Sequence, residues 1–338
     1  MAIQVRKPQE PLWVHRHSTV EGTHFLLRVL HGKENSILYA IGFLIYMGVA
    51  LYLRHLDLFI ADANARTAQA YFVLFSRDPH LAAIGFVWNP LPNLLQLPLV
   101  ALLQLLRHDT LLAGNVLTAL FGAATLVVLN IAMRRTTMPA ILRWLLITLF
   151  GLNPMVLLYS ANGMSEMLFV FAIVLAVSSF IWWVETYSAS AFILASLAVT
   201  FAVQIRYEAM VVTAVIAFCL IIACMVTNKE YGFRTVWQRV DSHLFLYIVG
   251  PIYSFGLWLF FNWTIMGTPL YFLQSVYGNT SQTAQFRSGA DSRLNSAIGS
   301  VLGTLNYMIE RTLWLFPATG VLIVLALFVF LSIYSSFR

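Results

Sequence analysis

Charge is scarce in this chain of 338 residues: acidic and basic side chains make up 10%, where a soluble domain carries about a quarter. That excludes an ordinary soluble domain. Hydrophobic residues reach 60%, which excludes a disordered chain, and 18 Gly with 11 Pro exclude a collagen-like one. The two cysteines, Cys219 and Cys224, lie five apart in one apolar run on different helix faces, so neither a disulfide nor a metal pair is expected. Lysine is nearly missing too: Lys7, Lys33 and Lys229 are the only three. A cation in a functional site is therefore expected to be arginine, the better bidentate phosphate ligand. The net charge of +6 matches basic flanks of membrane spans, and no nucleic-acid partner is expected.

What is present is length in apolar runs. An all-α, polytopic membrane protein of about eight transmembrane helices is expected, with spans near 36–53, 111–133, 138–159, 164–184, 189–205, 208–227, 243–266 and 313–335. Residues 1–36 form a basic cytoplasmic tail in which Phe25, Leu26, Val29 and Leu30 recur at helical spacing; a surface helix and a plain solvated leader both fit. Residues 37–338 form the transmembrane domain. Residues 91–107 are ambiguous: Asn89, Asn93, Gln96, Gln104 and Arg107 make a polar stripe broken by Val100, with Pro90, Pro92 and Pro98 nearby. This pattern predicts a helix at the interface or dipping into the membrane. If it does not cross, the basic loops at 134–143 and 229–239 share the side of the N-terminal tail, as the positive-inside rule requires. Both termini are then cytoplasmic in a cell membrane. A first outer loop (54–110, with interfacial helices) and a second (267–311) lie outside, where loops of this length are usually functional.

The outer face is predicted to carry the chemistry. Asp62, Arg66 and Gln69 fall at i, i+4 and i+7 of a helical stretch and share one face. A carboxylate backed by an arginine suits proton abstraction beside a held phosphate; an ion pair on a solvated helix with Asp62 as its cap is the plainer alternative. Glu166, after Asn162, starts a span, and Arg206 and Glu208 flank a turn on the same face. Apart from Arg143, the span cores lack Asp, Glu, Lys and Arg, which disfavours an ion-coupled transporter. No HExxH, Walker-type loop, GxSxG or Cys/His ligand spacing occurs, and Asn262-Trp263-Thr264 and Asn279-Thr280-Ser281 match the glycosylation sequon.

Together, Asp62-Ala-Asn-Ala-Arg66, Asp78-Pro79-His80 through Trp88-Asn89-Pro90-Leu91-Pro92, Tyr159 to Glu166, Arg206-Tyr207-Glu208, and Asn262 to Phe272 resemble segments of the polytopic GT-C glycosyltransferases, over roughly 37–280. The resemblance implies an inverting hexosyltransferase that takes a sugar from a polyprenyl-phosphate-linked donor at the outer face and passes it to an acceptor hydroxyl on a glycan, lipid or protein. It implies Asp62 as catalytic base, Arg206 and then Arg66 for the leaving phosphate, and Glu166, Glu208, His80 and Tyr271 as further substrate contacts. No cofactor and no tightly bound metal are expected; membrane lipids are. Asn89 and Thr268 depart from the family pattern, and one expected span after Arg311 is fewer than members often carry. The alternatives are a non-catalytic GT-C-like subunit working with a partner membrane subunit, and a lipid or sugar transporter.

Overall fold

The computed structural model describes residues 32–227, 232–276, 278, 281 and 297–315. Among them every regular element is helical: α1 (Lys33–His55), α2 (Ala61–Phe75), a 3₁₀ turn (Leu81–Ile84), α3 (Leu91–Leu105), α4 (Leu112–Arg134), α5 (Ala140–Gly151), α6 (Pro154–Ala161), α7 (Glu166–Thr186), α8 (Ala189–Ile205), α9 (Ala209–Thr227), α10 (Phe233–Met266), α11 (Tyr271–Gln274) and α12 (Val301–Leu315). Five of these, α1, α4, α7, α9 and α10, are long and apolar enough to cross a membrane. The protein is a helical membrane protein. The tail helix around Phe25, the last span beyond 315 and the sequon at Asn279 lie outside the described residues.

The helices run antiparallel in a bundle with two chemically different ends. At one end Arg54, closing α1, pairs with Asp109 just before α4. At the other, Glu34 at the start of α1 bonds Asn130 and Arg134 at the end of α4, and Arg143 in α5. The segment between α1 and α4 therefore begins and finishes at the same end, and α3, at 15 residues, is shorter than the helices long enough to cross a membrane. Its polar stripe splits in two: Asn93 and Gln96 are buried against α2, whereas Gln104 and Arg107 are exposed. An interfacial helix and one that hydrogen-bonds a neighbour show the same polar period, so spacing alone cannot separate them.

The expected span at 138–159 is two helices, bent by 59°. The cause is local. Pro154 has no N–H to continue the ladder and disfavours helix at Asn153, whose side chain instead caps α6 by accepting from Met155 N at 2.9 Å. Tyr46 then donates to the Gly151 carbonyl at 3.2 Å, replacing a bond at the break.

Helix α10 is 34 residues long and starts ten residues before the span expected at 243–266. Pro251 inside it removes the bond to the Tyr247 carbonyl, and the Ser196 hydroxyl of α8 fills that place at 3.0 Å. Gln204 similarly donates to the Ser254 carbonyl at 2.6 Å. Asn262, in the first sequon, is buried in α10 and donates to the Trp258 carbonyl at 2.9 Å, so it is no glycan acceptor in this fold.

Small residues let the centre close. Gly122 of α4 meets α1 and α6, where a Cβ would strike the Ser160 hydroxyl and come 2.9 Å from the Tyr46 ring. Close backbone approach through small residues is how helices associate where lipid removes the hydrophobic driving force. We predict that Gly122→Val costs about 1–3 kcal/mol through overpacking, seen as a lower unfolding temperature in detergent. Unchanged melting would show that α1, α4 and α6 are looser than described.

Candidate functional site

The end of the bundle opposite Glu34 holds a polar cavity of about 230 Å³, just below the roughly 300–1,000 Å³ of drug-sized ligand sites. Asp62 and Arg66 from α2, Glu166 at the start of α7, and Arg206 with Glu208 in the α8–α9 turn all line it. Three separate stretches of chain thus meet, as the common side of their helix ends implied. Two expected residues stay away. His80 is exposed, its ring nitrogen 2.6 Å from the Asp78 carbonyl, and it does not reach the cavity. Tyr271 packs with Phe86 and Trp258, while its neighbour Phe272 supplies the wall. Both came from the resemblance alone, which places a residue on a segment but does not aim its side chain.

Helix α2 starts at Ala61 after Ile60 as N-cap, which makes no side-chain cap bond. Asp62 is therefore in the first turn and does not cap the helix. It is exposed, and among the described residues it has neither a hydrogen bond nor an ion pair. The surface ion pair with Arg66 does not form. Arg66 instead turns inward, 6% exposed. It donates to Asn93 Oδ1 at 3.4 Å and stacks over Trp88 at 4.6 Å from the ring centre. Asn93 is held in turn by donating to Gln69 at 2.7 Å and to the Ile84 carbonyl at 3.1 Å. The shared face of Asp62, Arg66 and Gln69 is thus real, and it meets the loop before α3.

The two arginines differ in charge balance. Arg206 is gripped by two carboxylates, Glu166 at 2.6 Å and Glu208 at 2.7 Å, and the Arg206 hydrogen bond holds the Glu208 carboxyl below its ordinary range against the opposing effect of burial. Arg66 has no carboxylate partner among the described residues. Burial lowers its pKa to about 10, with the charges of Glu166 and Asp62 working the other way. Below that value the guanidinium stays charged, so its desolvation cost persists through the neutral range and is relieved as pH rises from about 10 towards the unfolded value. A bound anion would offset that cost. A phosphate-bearing ligand is accordingly expected to raise the unfolding temperature by the same amount at pH 7 and pH 8.5 and by less above pH 10, measured by thermal shift.

Buried polar atoms around the cavity lack partners among the described residues: Arg66 Nε, Glu166 Oε2, Ser165 Oγ and Asn162 Nδ2. Native interiors rarely leave such atoms unmatched, and a site for a polar ligand explains them. Trp88, Tyr207 and Phe272 make an aromatic part of the wall, beside Val87, Met164, Ile205 and Leu273, and further rings back it. Phe86 stacks on Trp258 at 5.3 Å and Tyr207 on Phe272 at 4.5 Å. Trp258 donates to the Tyr207 hydroxyl at 3.1 Å, which donates to the Val87 carbonyl at 3.3 Å. Burial pushes the Tyr207 phenol up, so it remains a donor. Tyr207 stands between Arg206 and Glu208 in sequence and Trp88 beside Asn89, but only their contacts with Phe272 and Arg66 reveal their positions. Among the described residues, no three His, Cys, Asp or Glu side chains gather as a metal site.

The fold and this cavity define a helical membrane protein with a polar site at one end of its bundle. The chain matches no protein-family model, no curated protein and no solved structure.

Proposed function

We propose that the protein is a membrane glycosyltransferase that moves a sugar from a polyprenyl-phosphate-linked donor to an acceptor hydroxyl with inversion. The observation that carries this reading is the pairing of an unpartnered carboxylate, Asp62, with a buried cation that has no carboxylate of its own, Arg66, in one cavity. Asp62 takes the acceptor proton as the acceptor oxygen attacks the anomeric carbon; the bond to phosphate breaks and polyprenyl phosphate departs. Arg66 stabilises the charge on that phosphate. This reverses the order expected of the two arginines, because Arg206 is already neutralised by Glu166 and Glu208. The free Oε2 of Glu166 is placed to accept from a sugar hydroxyl.

The test is product formation by purified protein in liposomes supplied with polyprenyl-phosphate sugars and an acceptor extract. Transfer supports the reading; donor binding without transfer supports a non-catalytic GT-C-like subunit instead. That second reading has one observation in its favour: α12 exposes Val301, Leu302, Leu305, Met308 and Ile309, an apolar stripe suited to a partner subunit.

The proposed orientation is eight spans with both termini cytoplasmic and the cavity outside. In a background lacking Cys219 and Cys224, a cysteine at exposed Asp78 should react with a membrane-impermeant thiol reagent in intact cells. One at exposed Thr136, at the other end of the bundle, should be protected. The reverse pattern would invert the orientation.

A further inference from the structure

A second cavity, about 300 Å³, opens at the other end of the bundle between α1, α4, α7 and α8. We propose that it holds one acyl chain of an anionic phospholipid drawn from the leaflet at that end. Its depth fits one leaflet. The α4 wall runs from Ala124 to Arg135, eleven residues of rise or roughly 16 Å, and half of a hydrocarbon core of about 30 Å is about 15 Å.

Its chemistry is graded along that depth. The floor is apolar, with Ala124, Val127, Phe171 and Leu175, and the mouth carries Arg135 and Trp182. Arg135 lies over the Trp182 ring at 4.8 Å and pairs with Glu185 at 3.2 Å. Apolar voids take up apolar ligands, and an indole beside a guanidinium marks headgroup depth. The bundle end is positive: Lys33, Arg134, Arg135, Arg143, Arg234 and Arg239 face Glu34, Glu185 and Asp241 among the described residues. That balance selects an anionic headgroup over a zwitterionic one. The side chains that line the cavity are mostly only half-buried, which leaves a chain a way in.

The proposal is tested with the full chain in phosphatidylcholine nanodiscs doped with phosphatidylglycerol that carries a photoactivatable group in mid-chain. Cross-links mapped by mass spectrometry are expected on the α4 and α7 walls, and excess unlabelled phosphatidylglycerol should compete them away while phosphatidylcholine does not. Ala132→Phe and Ser178→Phe, on different helices, should each lower wall labelling several-fold in protein that still elutes as a single species; if one fails to fold, the other decides. Arg135→Gln should weaken the preference for phosphatidylglycerol while chain labelling remains. Labelling spread evenly over lipid-facing positions such as Val215 and Phe218, wall labelling unchanged by both fillers, or competition by polyprenyl phosphate alone would overturn it.

Discussion

Asp62→Asn should abolish sugar transfer almost completely while leaving the folded protein and its donor binding intact. The carboxamide keeps the size of the carboxylate but cannot take a proton, and general-base catalysis contributes roughly 10²–10⁴-fold. Stability should scarcely move. Asp62 is exposed and has no hydrogen-bond or ion-pair partner among the described residues, so the loss is its interaction with the α2 dipole, about 0.3–1 kcal/mol, with a lesser, longer-range attraction to Arg66. Asp78→Asn is the control, since Asp78 is 94% exposed and does not line the cavity. Rate and unfolding temperature, measured on both variants, decide the matter. Equal loss in the two, or none in either, removes Asp62 from its role and favours the non-catalytic subunit.

Arg66→Met and Arg206→Met should separate binding from architecture. Taking away Arg66 removes a desolvated cation without a carboxylate partner, so the unfolding temperature should stay near the wild type. Donor affinity should drop by the value of charged hydrogen bonds to phosphate, about 1.5–3 kcal/mol, or roughly 10–150-fold. Taking away Arg206 strips both Glu166 and Glu208 of their partner, and Glu166 Oε2 already has none. That variant should melt several degrees lower. If Arg206→Met loses the donor without melting lower, while Arg66→Met binds it normally, the phosphate role returns to Arg206.

The fold was legible in the sequence where apolar length alone decides. The helices α1, α4, α7, α9 and α10 fall on expected spans because about 20 apolar residues have no other use. The break at Asn153-Pro154 was equally visible, since proline cannot donate, but hydropathy averaging smoothed over it. The direction of the α3 stripe was not legible, because Asn93 and Gln96 are satisfied by Gln69 and Thr67 of α2 inside the protein, and such a buried stripe has the same spacing as an interfacial face. At the site, the segments converged because antiparallel helices of similar length return their ends to one side. Which arginine carries an uncompensated charge was hidden: Arg206 lies beside Glu208 in sequence, but its second partner, Glu166, lies 40 residues away.

The chain of contacts from Trp258 through Tyr207 to Val87 binds the end of α10 to a loop without regular structure before any ligand arrives. A wall assembled in advance loses little conformational entropy when it is used. It also cannot remodel itself around a bulkier guest. Discrimination at this cavity should therefore work by exclusion: ligands that overrun the ring-lined side are turned away, and broadening the range of accepted groups requires shortening Tyr207 or Phe272 rather than loosening the loop.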